Sequence, residues 1–93
     1  MAMMLLHIEV DDYDSWKSFF DSDPAGRTQS ATGHTISRSV DDPNAIFIRA
    51  DFSSAEEAKT FRQRLIDSGA LERPGVTVKV QPAVVEQAEA VTY

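Results

Sequence analysis

Six patterned segments in the order β-α-β-β-α-β predict an α+β domain, a ferredoxin-like four-stranded antiparallel sheet with two helices on one face. Three observations carry that reading. Apolar residues alternate in four short runs, two longer runs repeat at helical spacing, and turn residues separate the six. Right-handed crossovers then put both helices on the same side of the sheet. With 93 residues the chain makes one domain, expected over 1–93 with its core at 3–82.

The first strand is Met3–Val10, with Met4, Leu6, Ile8 and Val10 on one face and Leu5, His7 and Glu9 on the other. Asp11 and Asp12 offer cap oxygens to a helix carrying Tyr13, Trp16, Phe19 and Phe20 on one side. It stops near Ser22, because Pro24 disfavours helical geometry in Asp23. Pro24 to Thr32 reads as a helical turn or loop closed by Gly33. The second strand, His34–Val40, places His34, Ile36, Arg38 and Val40 together. Asp42-Pro43-Asn44 has type I turn chemistry and leads into a third strand, Ala45–Phe52. Ser53-x-x-Glu56 reads as a capping box, and the second helix, about Ser54–Ser68, turns Ala55, Ala58, Phe61 and Leu65 inward. Gly69 suits the position after its end. The fourth strand is Val76–Gln81, with Val76, Val78 and Val80 alike on one face, and Pro82 ends it. The tail Ala83–Tyr93 carries Val84, Val85, Val91 and Tyr93.

Composition excludes several functions. Nine basic against fifteen acidic residues give a charge of −6, the wrong field for nucleic acid, and no nucleic-acid partner is expected. An RNA-binding sheet would also need aromatic platforms, and only Phe47 stands on the open face. Without cysteine there are no disulfides, thiolate metal sites or cysteine nucleophiles. The apolar opening, Met1–Ile8, lacks a basic start and a cleavage site, and no run approaches the ~18 apolar residues that span a bilayer. A cytoplasmic protein without membrane contact is expected. Asp11, Asp12 and Asp14 read as helix caps rather than a Ca²⁺ loop, and the two histidines have no local ligand spacing, so no metal is expected.

The strand faces away from the helices mix apolar and charged residues: Leu5, His7, Glu9, Phe47, Arg49, Asp51, Thr77, Lys79 and Gln81. Leaving Leu5 and Phe47 in water forgoes about 1.5–3 kcal/mol of burial each. An apolar tail with nothing left to cover in its own protomer adds to the case for a two-fold dimer. In that homodimer the sheets face each other and the tail, 83–93, packs on the partner.

The stretch Val10-Asp-Asp-Tyr-Asp-Ser-Trp-Lys-Ser-Phe-Phe, the turn Asp41-Asp42-Pro43-Asn44 before a strand, and Phe52-Ser-Ser-Ala-Glu-Glu-Ala-Lys-Thr-Phe61 resemble small bacterial proteins of the dimeric α/β-barrel superfamily. Its members include antibiotic-biosynthesis-type monooxygenases and small polyketide cyclases. The resemblance covers about residues 3–82. It implies a homodimeric α/β barrel with helices outside, and ligands bound between each sheet and its helices. It further implies chemistry without a cofactor, so none is expected. Oxygenation in the superfamily is associated with Asn, Trp and Tyr around the substrate; here the single Trp is Trp16 and the single Asn is Asn44, in the hairpin turn. A first-strand histidine serves some of the cyclases, which makes His7 a minor catalytic candidate.

Strand parity puts His34 and Arg38 on the helix side of an edge strand, where a cleft can open beneath the first helix. Tyr13, Trp16 and Phe20 supply aromatic walls and Ala50 leaves room beside them, which suits a small hydrophobic or aromatic ligand. As catalytic residues, His34 would move a proton and Arg38 would hold an enolate or carboxylate. The competing reading has both exposed at the edge, with the aromatics as plain core. Two functions therefore stand: a cofactor-independent monooxygenase or cyclase acting on an aromatic or polyketide-like molecule, and a non-catalytic ligand-binding, structural or stress-response dimer. One scaffold hosts both kinds.

Overall fold

A computed structural model describes residues 2–93; Met1, the first residue of the expected domain, lies outside them. The elements are β1 (Ala2–Val10), α1 (Tyr13–Asp21), α2 (Arg27–Ser30), β2 (Gly33–Arg38), β3 (Ala45–Phe52), α3 (Ala55–Asp67) and β4 (Val76–Glu86). The sheet order is β2-β3-β1-β4, with every neighbouring pair antiparallel. This is the ferredoxin-like arrangement the sequence predicts, with the one-turn α2 added in the loop after α1.

The central strands β1 and β3 supply the core. Leu6, Ile8, Val10, Ile46 and Ile48 pack against Trp16 of α1, while Ala2, Met4, Ala50 and Phe52 pack against Ala58 and Phe61 of α3. Each helix thus covers its own end of one sheet face. The Asp12 side chain accepts from the Ser15 amide at 2.9 Å and starts α1. The hairpin closes with Ala45 donating to the Asp42 carbonyl at 3.0 Å, as the Asp-Pro-Asn turn requires.

Four local readings change. The cap of α3 is Ser54, whose hydroxyl accepts from the Glu57 amide, so the capping residues sit one position later than Ser53 and Glu56. Strand β2 ends at Arg38, and Val40, expected on its inner face, projects into solvent. Pro82 does not end β4. The strand passes through two register shifts against β1, pairing Ile8 with Val78, His7 with Val80 and Leu5 with Ala83. The first shift leaves Lys79 as an extra residue and turns Val80 onto the open face, opposite His7. The second absorbs Gln81 and Pro82, since a bulge needs no amide from proline. Residues 83–86 therefore pair with their own β1, where the sequence reading sends them to a partner. Only 87–93 remain irregular and exposed.

Candidate functional site

The site forms where α1 crosses the sheet. Tyr13, Trp16 and Phe20 recur at helical spacing along one stripe, and their rings follow one another at 5.9 and 5.1 Å between centroids. Beneath them the sheet offers Ala50, flanked on its own strand face by the larger Ile48 and Phe52. The missing side-chain volume leaves a cavity of about 60 Å³ bounded by Met4, Leu6, Trp16, Phe20, Ile48 and Ala50, with Phe61 and Leu65 of α3 closing one side. That volume holds several water molecules. It is well below the ~300–1,000 Å³ of a drug-sized site, so a ligand larger than one ring requires α1 to lift.

Two charged side chains line this otherwise apolar space, Asp23 and Arg27. Arg27 is only 8% exposed. Its guanidinium lies 3.8 Å from the centre of the Phe20 ring, and Nη1 donates to the Phe20 carbonyl at 3.3 Å. Its Nε is buried with no hydrogen-bond partner, and no ion pair engages it among the described residues. Asp23 holds it there from behind. Forced out of helical geometry before Pro24, Asp23 adopts a left-handed φ of 59° instead of an extended one. Its Oδ2 then accepts from the Thr28 amide at 3.2 Å and the Thr28 hydroxyl at 2.6 Å, which pins the start of α2. Burial pushes the Asp23 pKa up, but the Thr28 hydroxyl and amide, with help from Arg27, outweigh it and hold the group below its ordinary value.

His34 and Arg38 do lie on the helix side of β2, paired with Ala50 and Ile46 of β3. They do not converge on the cavity. Four residues apart on a strand, their backbones are ~13 Å apart, and neither side chain lines the space. Arg38 is occupied at the hairpin end: Nε donates to the Pro43 carbonyl at 2.8 Å, and the guanidinium lies 4.0 Å from the Tyr13 ring centre. Tyr13 accordingly packs over Arg38 rather than lining the cavity. His34 stands at the other end, its ring edge-on to Phe20 at 5.2 Å and beside Arg27 in a surface cleft. Desolvation, with the nearby charges of Arg27 and Lys17, lowers its pKa; Asp21 opposes them weakly.

His7 is on the opposite face, stacked on Phe47 at 4.0 Å, with Nε2 buried and unpartnered. A second, more open and larger depression around it, of about 560 Å³, is lined by Leu5, Phe47, Arg49 and Val80. Arg49 is held by Asp51 at 2.8 Å, and Glu9 faces Lys79 at 3.6 Å. Among the described residues no group of three or more His, Cys, Asp or Glu could hold a metal ion. No helix among them is long and apolar enough to cross a membrane.

No family model matches the chain, and no curated protein does. Among solved structures, SnoaB, a cofactor-independent oxygenase from Streptomyces nogalater, superimposes with a TM-score of 0.73 at 15% identity, covering 99% of this chain and 97% of that one. A protein from Chloroflexus aurantiacus J-10-fl assigned as an antibiotic biosynthesis monooxygenase gives 0.64 at 15% identity, covering 99% and 98%. A dimeric ferredoxin-like protein from an uncultured marine organism gives 0.61 at 9% identity, again covering 99% and 98%. At these identities the likeness concerns the backbone. The chain has the ferredoxin-like fold, and its structural neighbours include antibiotic-biosynthesis-monooxygenase-like proteins.

Proposed function

We propose that the protein is a cytoplasmic, cofactor-independent oxygenase or cyclase acting on an aromatic or polyketide-like small molecule bound beneath α1. The observation that carries this reading is the apolar cavity between Trp16, Phe20 and Ala50. A folded core is normally packed without such a void, so space walled by aromatic rings is space for a ligand. His34, which stands outside the cavity across the Phe20 ring, is the proton acceptor in this reading for a ligand that lifts α1 and reaches past Phe20. Its lowered pKa keeps it neutral near pH 7, as a general base must be. In an oxygenation, His34 removes a proton from an enolisable ring carbon, and the resulting anion reduces O₂. A ring CH₂ plus O₂ becomes a C=O plus water, with all electrons drawn from the substrate. The fold neighbour described as a cofactor-independent oxygenase lends this chemistry a precedent on the same backbone.

The functional unit of this proposal is a homodimer joined through the open sheet face. Leu5, Phe47 and Val80 are 40%, 46% and 53% exposed on that face, and a partner sheet would bury them. The irregular segment 87–93, with Val91 and Tyr93, extends onto that partner. A neighbour with the same fold is described as dimeric.

A second reading, ligand binding without turnover, is favoured by one observation: neither His34 nor Arg38 lines the cavity, and Asp23, the one carboxylate that does, is bonded through Oδ2 to Thr28. Oxygen uptake with dithranol, an enolisable three-ring probe, separates the two. The oxygenase reading predicts metal-free consumption of one O₂ per quinone formed, above the uncatalysed rate and dependent on His34. Saturable binding of the probe with no uptake would establish the second reading instead.

A further inference from the structure

We propose that Arg27 is an anion receptor, and that the ligand of the cavity beneath α1 is a planar ring bearing one negatively charged oxygen group, a carboxylate or an enolate. The inference rests on the cavity being a ligand site and adds the charge that ligand must carry. Burying a guanidinium is costly unless a counter-charge and hydrogen bonds compensate. Arg27 has a long bond to one carbonyl and the face of one ring, and its Nε has nothing. Those contacts are weak recompense for an always-charged group. The position is nevertheless enforced by the loop that carries it. Asp23 takes a left-handed backbone and bonds Thr28 through Oδ2 alone; its Oδ1 is buried without a partner, so its charge acts on Arg27 only at a distance, with no hydrogen bond or ion pair closed to the guanidinium.

The geometry suits a flat anion. A ring seated among Trp16, Phe20 and Ile48 would place its substituent toward the end of the cavity where Arg27 lies against Phe20. Guanidinium N–H groups form their strongest hydrogen bonds to carboxylate and enolate oxygens. Arg38, the residue expected to do this from strand parity, is already bonded to Pro43 and covered by Tyr13.

Benzoate and its neutral isostere benzamide test the proposal by calorimetric titration against the full chain at pH 7. The expected result is benzoate bound roughly tenfold or more tighter than benzamide, the scale of one charge-assisted hydrogen bond. Arg27→Gln should erase that difference, lowering benzoate affinity far more than benzamide affinity, and Arg27→Lys should retain part of it. Because the charge is held at a cost, Arg27→Gln should keep or raise the melting temperature. 4-Nitrophenolate, titrated at pH 8.5, supplies the enolate-like arm, and whichever anion binds more tightly names the oxygen group. Equal binding of benzoate and benzamide, indifferent to Arg27→Gln, would overturn the receptor and leave the cavity reading intact. A lower melting temperature in Arg27→Gln, with both probes weakened alike, would make Arg27 a structural brace and also overturn it. If neither probe binds the unaltered chain at millimolar concentration, the ligand site itself falls.

Discussion

His7 of β1 and Phe47 of β3 are direct cross-strand partners, and their rings stack 4.0 Å apart at 12° on the sheet face that the helices leave open. The pair joins a half-exposed aromatic ring to an imidazole whose Nε2 is buried without a partner. The half-exposed Phe47 ring, beside Leu5 and Val80 on the same face, is what a second copy would cover. In the proposed dimer, Phe47→Glu would leave a charge buried between the two sheets and should give a monomer at micromolar concentration in sedimentation. A monomeric unaltered chain at the same concentration would remove the assembly.

Filling the void should remove ligand without removing stability. Ala50→Val adds two carbons on a β-favouring position that faces the cavity. Benzoate binding should fall at least about tenfold. Overpacking a full core costs about 1–3 kcal/mol, whereas filling a real void costs little, so the melting temperature should hold or rise. A marked drop in melting temperature would show that the site is already full.

The acid limb of stability should carry the signature of His34. Its folded pKa lies below the unfolded value of about 6.5, through desolvation, Arg27 and Lys17, against Asp21. As pH falls below 6.5, the unfolded chain takes up the proton first, so folding weakens until the lowered folded pKa is passed. About one pH unit above 6.5 and beyond, both states are neutral and the group contributes no slope. In denaturant titrations from pH 8 to 5, His34→Gln should lose stability less steeply than the unaltered chain over that window. Parallel curves would contradict the lowered pKa.

The cap of α3 gives a local test of the shifted start. Ser54→Ala removes the acceptor of the Glu57 amide and should cost about 0.5–2 kcal/mol. Ser53→Ala, one residue before the cap, should cost less. Reversal of that order in urea unfolding would restore the earlier cap position.

Much of this architecture was legible in the chain. Alternation in β1 and β3 marks Met4, Leu6, Ile8, Ile46 and Ile48 as one buried face, and those residues do form the core. The aromatic stripe of α1 and the small Ala50 point to the space between them. What failed was set by backbone irregularity that side-chain period does not encode. An extra residue at Lys79 flips Val80 to the opposite face, and a bulge at Gln81 and Pro82 lets a proline sit inside a strand. Arg27 was missed for a related reason. It lies in a short polar stretch with no periodicity, and its burial follows from the left-handed turn at Asp23, which no spacing announces. Strand parity therefore points to Arg38 as the charged residue at the cavity, whereas α2 supplies it as Arg27.

The account depends most on the space beneath α1 receiving a ligand, and amide chemical-shift mapping with benzoate addresses that directly. Shifts should gather on Leu6, Trp16, Phe20, Arg27 and Ala50, with the Trp16 indole among the largest. Shifts centred instead on His7, Phe47 and Val80, or none at saturating benzoate, would contradict it.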